Sequence, residues 1–213
     1  MDFDLVHDCQ SVYRLVLKAF SYPGRVQDIG KQSLGIDVPL VFGKPAMAVA
    51  LTLLDGETSV HVEGTDEAMI ARLTGCKVVA PELASFLFCL SDGNLCQVLE
   101  QATTGTLIDP HLGATVVVEV FALASDASAL PLEAENIRHL VFRGPGVERE
   151  NHLFIAEYKE PVCSDPYCSK FQWLEVREAR NAEFPLGIDL ILVDKDGRLA
   201  ALPRTSNVVR AEA

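Results

Sequence analysis

The sequence predicts an α/β protein built around a mixed β-sheet. Helical and strand-like hydrophobic patterns alternate through the first half, the signature of a layered α/β core. Strand-like runs follow one another in the second half, which implies antiparallel as well as parallel pairing. The chain is also long and apolar enough to bury a sizeable core. It has 213 residues, 49% hydrophobic and 23% charged, which suits one folded domain and argues against disorder.

The elements follow in order. Leu5, Val6, Cys9, Val12, Tyr13, Val16, Leu17 and Phe20 recur at helical spacing as one apolar stripe. Asp4 is placed to cap this helix, and Tyr22-Pro23-Gly24 to stop it. Arg14 and Lys18, four apart, read as a solvated face. After a short extended stretch, Arg25 to Ile29, Pro45 to Leu54 reads as a buried helix closed by Asp55-Gly56. Ser59 to Glu63 alternates as a strand. Thr65 or Asp66 is placed to cap a helix ending at Gly75. Short apolar runs follow at Lys77–Ala80 and Ser85–Leu90, then a short helix from Leu95 to Ala102.

Ala114 to Leu123 reads as one long valine-rich strand, and Arg138 to Arg143 as another. Gly144-Pro145-Gly146 turns the latter into a strand from Val147 to Phe154. Glu157 to Glu183 changes character: it holds Cys163, Cys168, Trp173 and a charged helix-like tract from Lys170 to Asn181. It is too short for a core of its own and reads as an elaborated connection within a single domain spanning 1–213. Gly187 to Val193 is an apolar strand, Asp194 to Gly197 a hairpin turn, and Arg198 to Leu202 its partner.

Charge narrows the function classes. Eighteen Lys plus Arg against thirty Asp plus Glu give a formal net charge of −12, which repels phosphate backbones and anionic lipid heads. Nucleic acid and membrane surfaces are therefore not expected partners. No apolar run reaches the ~20 residues of a membrane span, and the first residues do not resemble a secretory signal. The expected location is the cytoplasm, and the six cysteines are expected to be thiols there.

Motif tests mostly fail. Gly43-Lys44 looks like the end of a phosphate loop, but Pro45 stands where Ser or Thr would hold magnesium. Gly144-Pro145-Gly146 lacks the third glycine and the helix of a dinucleotide fingerprint. Cys163–Cys168 and Cys89–Cys96 are loose pairs that do not make a metal site. The histidines form no HxxxH pair. One arrangement stands out: Asp189 interrupts the apolar strand, and Arg204-Thr205 follows the partner strand. A buried carboxylate costs several kcal/mol, on the order of its desolvation penalty, unless it is paired, so Asp189 needs a partner and Arg204 is the nearest candidate. The pair is either a structural ion pair or a site where Arg204 and Thr205 bind phosphate or phosphonate, with Asp189 fixing the guanidinium.

The run Phe184-Pro185-Leu186-Gly187-Ile188-Asp189-Leu190-Ile191-Leu192, with Leu199-Ala200-Ala201-Leu202-Pro203-Arg204-Thr205, closely resembles the signature of the PhnH family. This is the H subunit of the bacterial carbon–phosphorus lyase system for phosphonate use. Tyr13-Arg14 through Lys18 to Gly24, the Ala50–Asp55 helix, and Gly105-Thr106 through Gly113-Ala114-Thr115 are similar to the same family, so the resemblance covers nearly the whole chain in order. The chain departs from the pattern at Glu157–Glu183, which is longer and richer in cysteine, and mildly at Phe20.

The resemblance implies a three-layer α/β/α fold with a mixed sheet, similar to the large domain of pyridoxal-phosphate-dependent transferases but without the cofactor. None of the seven lysines sits in a recognisable cofactor motif. It also implies a homodimer that joins the G, I and J subunits. With the G, I and L subunits, the H subunit supports transfer of a phosphonate to C1 of the ATP ribose with release of adenine. The product is a ribose 1-phosphonate 5-triphosphate. Because the nucleosidase chemistry is attributed to the I subunit, an accessory or scaffold role follows for this chain. The different expectation, drawn from the residues alone, is an independent anionic-ligand protein or enzyme using Asp189, Arg204 and Thr205.

Overall fold

Near-continuous burial along the central strands gives the main sheet two apolar faces, and each face has its own covering layer. The computed structural model describes residues 3–37, 42–63, 67–91, 93–158 and 172–211. In chain order the first half holds α1 (His7–Ser21), β1 (Gln27–Asp28), α2 (Gly30–Leu34), α3 (Lys44–Leu53), β2 (Ser59–Val62), α4 (Ala68–Thr74), β3 (Lys77–Val78), β4 (Phe86–Cys89) and α5 (Leu95–Gln101). The second half holds β5 (Thr115–Val120), β6 (Ala122–Ala124), β7 (Ile137–Arg143), β8 (Asn151–Ala156), α6 (Gln172–Arg180), β9 (Asp189–Asp194), β10 (Arg198–Leu202) and β11 (Asn207–Arg210).

Among the described residues seven strands form the main sheet, in the order β1-β10-β9-β5-β4-β2-β3. The strands from β9 through β3 run parallel, whereas β10 and β1 add antiparallel. The sheet is thus mixed, and the β9–β10 hairpin makes it so. The remaining second-half strands do not join it. They build a separate antiparallel sheet, β11-β7-β8-β6. Here the single strand read over Ala114–Leu123 needs correction. It breaks at Phe121, with β5 pairing to β9 and β6 to β8. Valine and alanine continue across the break, so the hydrophobic pattern carries no mark of the change of sheet. The strand read from Val147 begins at Asn151, because residues 147–150 complete the turn.

On one face Val60, Val62, Phe88, Val117, Ile191 and Val193 pack against α1, α3 and Ile70 of α4. Helix α3 is buried from Pro45 to Ala50, and its alanines let it lie close to the sheet. On the other face Leu87, Val116, Val118, Leu190 and Leu192 meet Val98 and Leu99 of α5 and Trp173 of α6. Leu140, Phe142, Leu153 and Ile155 of the second sheet belong to the same core. That outer layer is therefore part helix and part sheet.

Helix α1 starts as its sequence implies. Asp4 Oδ1 accepts from the amides of Val6 at 2.7 Å and His7 at 3.0 Å, and these bonds hold its carboxyl below the usual range. The single apolar stripe is a second correction. Val12, Val16 and Ala19 are buried, but Leu5, Val6, Tyr13 and Leu17 are exposed. The apolar positions span a wider arc than the one flank that the sheet and α3 can cover.

Asp194 joins the two sheets. It is 2% exposed, and its Oδ1 accepts from Asp196 N at 3.0 Å and Arg198 N at 2.8 Å, closing the hairpin around Gly197 (φ +92°). Its Oδ2 accepts from Leu123 N of β6 at 3.0 Å. Burial pushes the carboxyl up, while the three amides pull it down. Asp194→Asn turns an amide NH2 toward the Leu123 N–H and is expected to cost about 2 kcal/mol in urea unfolding.

The outer face of the second sheet carries a histidine pair. His139 Nε2 lies 2.9 Å from His152 Nδ1, and the His139 ring stacks on Phe154 at 4.2 Å. Burial, and then His152, lower the pKa of His139 below the ordinary 6.5. A depressed histidine contributes stability above its unfolded pKa that is lost as pH falls through the folded value, because the unfolded chain takes up the proton first. The urea midpoint is therefore expected to fall on acidification below about pH 6.5, and the fall to shrink in His139→Gln.

Candidate interaction site

Asp189 opens β9 between Ile188 and Leu190, both fully buried. The hairpin register, Leu190 opposite Leu202, brings Arg204 back beside it. Asp189 Oδ1 accepts from the Arg204 amide at 2.6 Å, and Oδ2 accepts from Nη2 at 2.6 Å and Nε at 3.0 Å. Arg204 Nη1 donates to Pro110 O at 2.8 Å, and Nη2 also to Gly113 O at 3.3 Å. All three guanidinium nitrogens thus have partners within the chain. The side chains of Arg204 and Asp189 are 15% and 18% exposed. Thr205 is exposed and stands outside this network.

What Arg204 holds is the connection from α5 to β5. A bridge pairs Thr104 with Gly113, Thr104 O accepts from Gly187 N at 3.0 Å, and Ala114 N donates to Thr103 O at 2.8 Å. Arg180 of α6 donates to Ala102 O at the loop's start. Gly113 has no room for a side chain, since a Cβ there would meet Arg204 Nη1 and Gly187 O. Gly113→Ala is expected to cost about 1–3 kcal/mol, read as a lower melting temperature. This tightly braced loop turns Leu107, Ile108 and Leu112 outward, 66%, 89% and 54% exposed. Leu83, two residues before Ser85 whose carbonyl pairs with Thr115, and Phe184 on the segment leading to Gly187 are exposed as well. Five large apolar side chains are thus exposed on the segments that lead into β4, β5 and β9, and exposed apolar surface at one end of a sheet is where protein contacts form.

Helix α6 completes the brace. Trp173 is 5% exposed in the second core and donates from Nε1 to Glu157 Oε1 at 3.1 Å. Arg177, one turn on and 3% exposed, donates to Pro203 O at 2.6 Å. Burial lowers its pKa to about 10. Asn181 clasps Ile188 through both its side-chain amide nitrogen and oxygen. The sequence reads this tract only as part of an elaborated connection and misses these roles. The signal was the spacing of Trp173, Arg177 and Asn181, which places them on one helix face. Cys163, Cys168 and the segment around them lie outside the described residues.

A cleft of about 300 Å³ lies at the carboxyl ends of β5 and β9, beside the start of α3. Ligands of parallel α/β sheets commonly bind at such a place. Here Glu119 Oε1 accepts from Gly43 N at 2.6 Å, so a carboxylate of the chain itself occupies the helix N-terminus where an anion would sit. Asp194 and Asp196 add negative charge, with Lys44 and Lys195 beside them. Burial, then Glu119, Asp194 and Asp196, raise the Tyr158 phenol pKa. Among the described residues no group of three or more His, Cys, Asp or Glu could hold a metal ion.

Fold and site define an α/β protein with an exposed apolar loop held by Arg180, Gly187 and Arg204. The chain belongs to the PhnH family: residues 2–209 match the family described as bacterial phosphonate metabolism protein PhnH. Two relatives show the same kinship. The C-P lyase subunit protein HtxG of Stutzerimonas stutzeri is 32% identical, over 93% of this chain and 85% of its own. The PhnH subunit of alpha-D-ribose 1-methylphosphonate 5-triphosphate synthase of Rhizobium meliloti (strain 1021) is also 32% identical, over 97% and 93%.

Proposed function

We propose that this chain is an accessory subunit of the carbon–phosphorus lyase core complex, needed for forming alpha-D-ribose 1-methylphosphonate 5-triphosphate from ATP and methylphosphonate. Its partners are the G, I and J subunits, with the L subunit for the synthase step, and it works in the cytoplasm as one domain. The fold is read as a cofactor-free version of the large domain of pyridoxal-phosphate transferases. One observation carries the accessory reading above all: every nitrogen of the Arg204 guanidinium holds the chain's own groups, and the loop it fixes turns apolar residues outward. The isolated chain, given ATP and methylphosphonate, is expected to release no adenine.

The second reading is an anionic-ligand protein using Asp189, Arg204 and Thr205. It is favoured only by the exposure of Thr205 beside the pair, and it requires Arg204 to exchange chain partners for a ligand. Calorimetry with ATP and with methylphosphonate separates the two. The accessory reading expects no heat with either, whereas heat lost in Arg204→Ala supports the ligand site.

The chain is further read as a homodimer through α1. Leu5, Val6, Tyr13 and Leu17 form an exposed apolar strip, with Asp4 and Asp8 toward one end and Arg14 and Lys18 toward the other. Antiparallel contact of two copies sets the acidic end of one strip against the basic end of the other, a self-complementary arrangement. Light scattering is expected to give twice the chain mass, and Tyr13→Asp with Leu17→Asp to halve it.

A further inference from the structure

We propose that the apolar surface at the amino ends of β4, β5 and β9 docks a different protein chain, one that offers apolar side chains inside a basic rim. This rests on the accessory-subunit reading and names the surface that reading leaves open. The centre of the patch is Leu107, Ile108 and Leu112 on one loop, and Leu83 and Phe184 are exposed on the segments that lead into β4 and β9, the strands flanking β5. Ile108 is 89% exposed, although full burial of such a side chain favours the folded state by about 1.5–3 kcal/mol. Folding leaves that stabilisation unused here, and association can recover it.

The loop is ready for contact as it stands. Hydrogen bonds from Arg180, Gly187 and Arg204 fix its start, its base and its return. Little conformational entropy remains to be lost on binding, and preorganisation of this kind raises affinity.

Charge selects the partner. Glu82 and Glu183 are exposed, and the Asp109 side chain is 50% exposed, so the patch has an acidic rim. The neighbouring cations do not offset it. Arg204 is balanced by Asp189, which leaves Arg180, held on Ala102 O, as one fixed positive charge against three carboxylates. His111 is exposed beside Asp109, 3.9 Å away. A second copy of this chain in an isologous contact would bring Glu82, Asp109 and Glu183 against themselves, and like charges across an interface disfavour it. A surface rimmed with Lys and Arg gains where the copy loses.

The test co-expresses the tagged chain with the G, I and J subunits and compares wild type with Ile108→Asp/Leu112→Asp. Both positions are exposed, so the variant is expected to keep its melting temperature and the mass of the isolated chain. Recovery of the partner subunits is expected to fall at least about thirtyfold, as for the loss of central contact residues. Raising salt from about 0.1 to about 0.5 M is expected to weaken wild-type recovery, since the rim charges are screened. Recovery by the variant equal to wild type overturns the assignment of this surface. A change in the isolated chain's mass overturns it too, because the occupant is then a second copy. Failure of the wild type itself to recover any subunit overturns the accessory reading and this surface together, an outcome distinct from the first two.

Discussion

Arg204→Ala is expected to destabilise the protein by about 3 kcal/mol, the cost of leaving a mostly buried carboxylate without its cation. The loss lies at the lower end of the range for buried pairs because the two side chains keep 15% and 18% of their surface in water. The loss has three sources. Asp189 is stranded between buried Ile188 and Leu190. Pro110 O and Gly113 O lose their donor, and the connection between α5 and β5 loses its anchor. For a chain of this length the melting temperature should drop by about 6–12 °C. Arg204→Lys should restore little of it, since one ammonium cannot reach Asp189 and both carbonyls in the forked geometry of a guanidinium. A double-mutant cycle with Asp189→Ala reads the coupling directly, and a coupling near zero would mean the pair does not brace the loop.

Trp173→Ala is expected to cost about 3–5 kcal/mol, the usual range for removing a large buried aromatic. Trp173 seats α6 on the second core, and α6 carries Arg177, Arg180 and Asn181 to the ends of β10, α5 and β9. Loosening α6 therefore loosens the interaction loop as well. Trp173→Phe keeps most of the packing and loses only the bond to Glu157, at about 1 kcal/mol. As the only tryptophan, Trp173 reports its own burial. Its emission should shift to the red on unfolding, in step with the loss of helix circular dichroism.

The parts of the fold legible in the sequence are those with a strong local period. The Asp4 cap, α1, α3, β2 and the β9–β10 hairpin follow from residue spacing and turn residues alone. So does the meeting of Asp189 and Arg204, because a carboxylate in an apolar strand demands a partner and the hairpin turn sets which residue comes back beside it. The second sheet was not legible. Nothing in Val118-Glu119-Val120-Phe121-Ala122-Leu123 marks the point where one strand leaves the main sheet, and β11, Asn207–Arg210, is too short to announce itself. Arg177 and Arg180 receive no role from the sequence because their stretch reads only as an elaborated connection, and the apolar partner Trp173 that seats their helix is a single residue. The exposure of Leu107, Ile108 and Leu112 was equally hidden, since apolar residues carry no sign of which surface they await. The net charge of −12, unexplained by any motif, has an acidic rim around an apolar patch as one physical expression.

The most direct test is adenine release from ATP and methylphosphonate by the reconstituted G, H, I and L subunits, with this chain as the H subunit, omitted or supplied. Release is expected only when this chain is present with its partners, and none from this chain alone. Turnover by the isolated chain, or undiminished turnover in its absence, would contradict the accessory role.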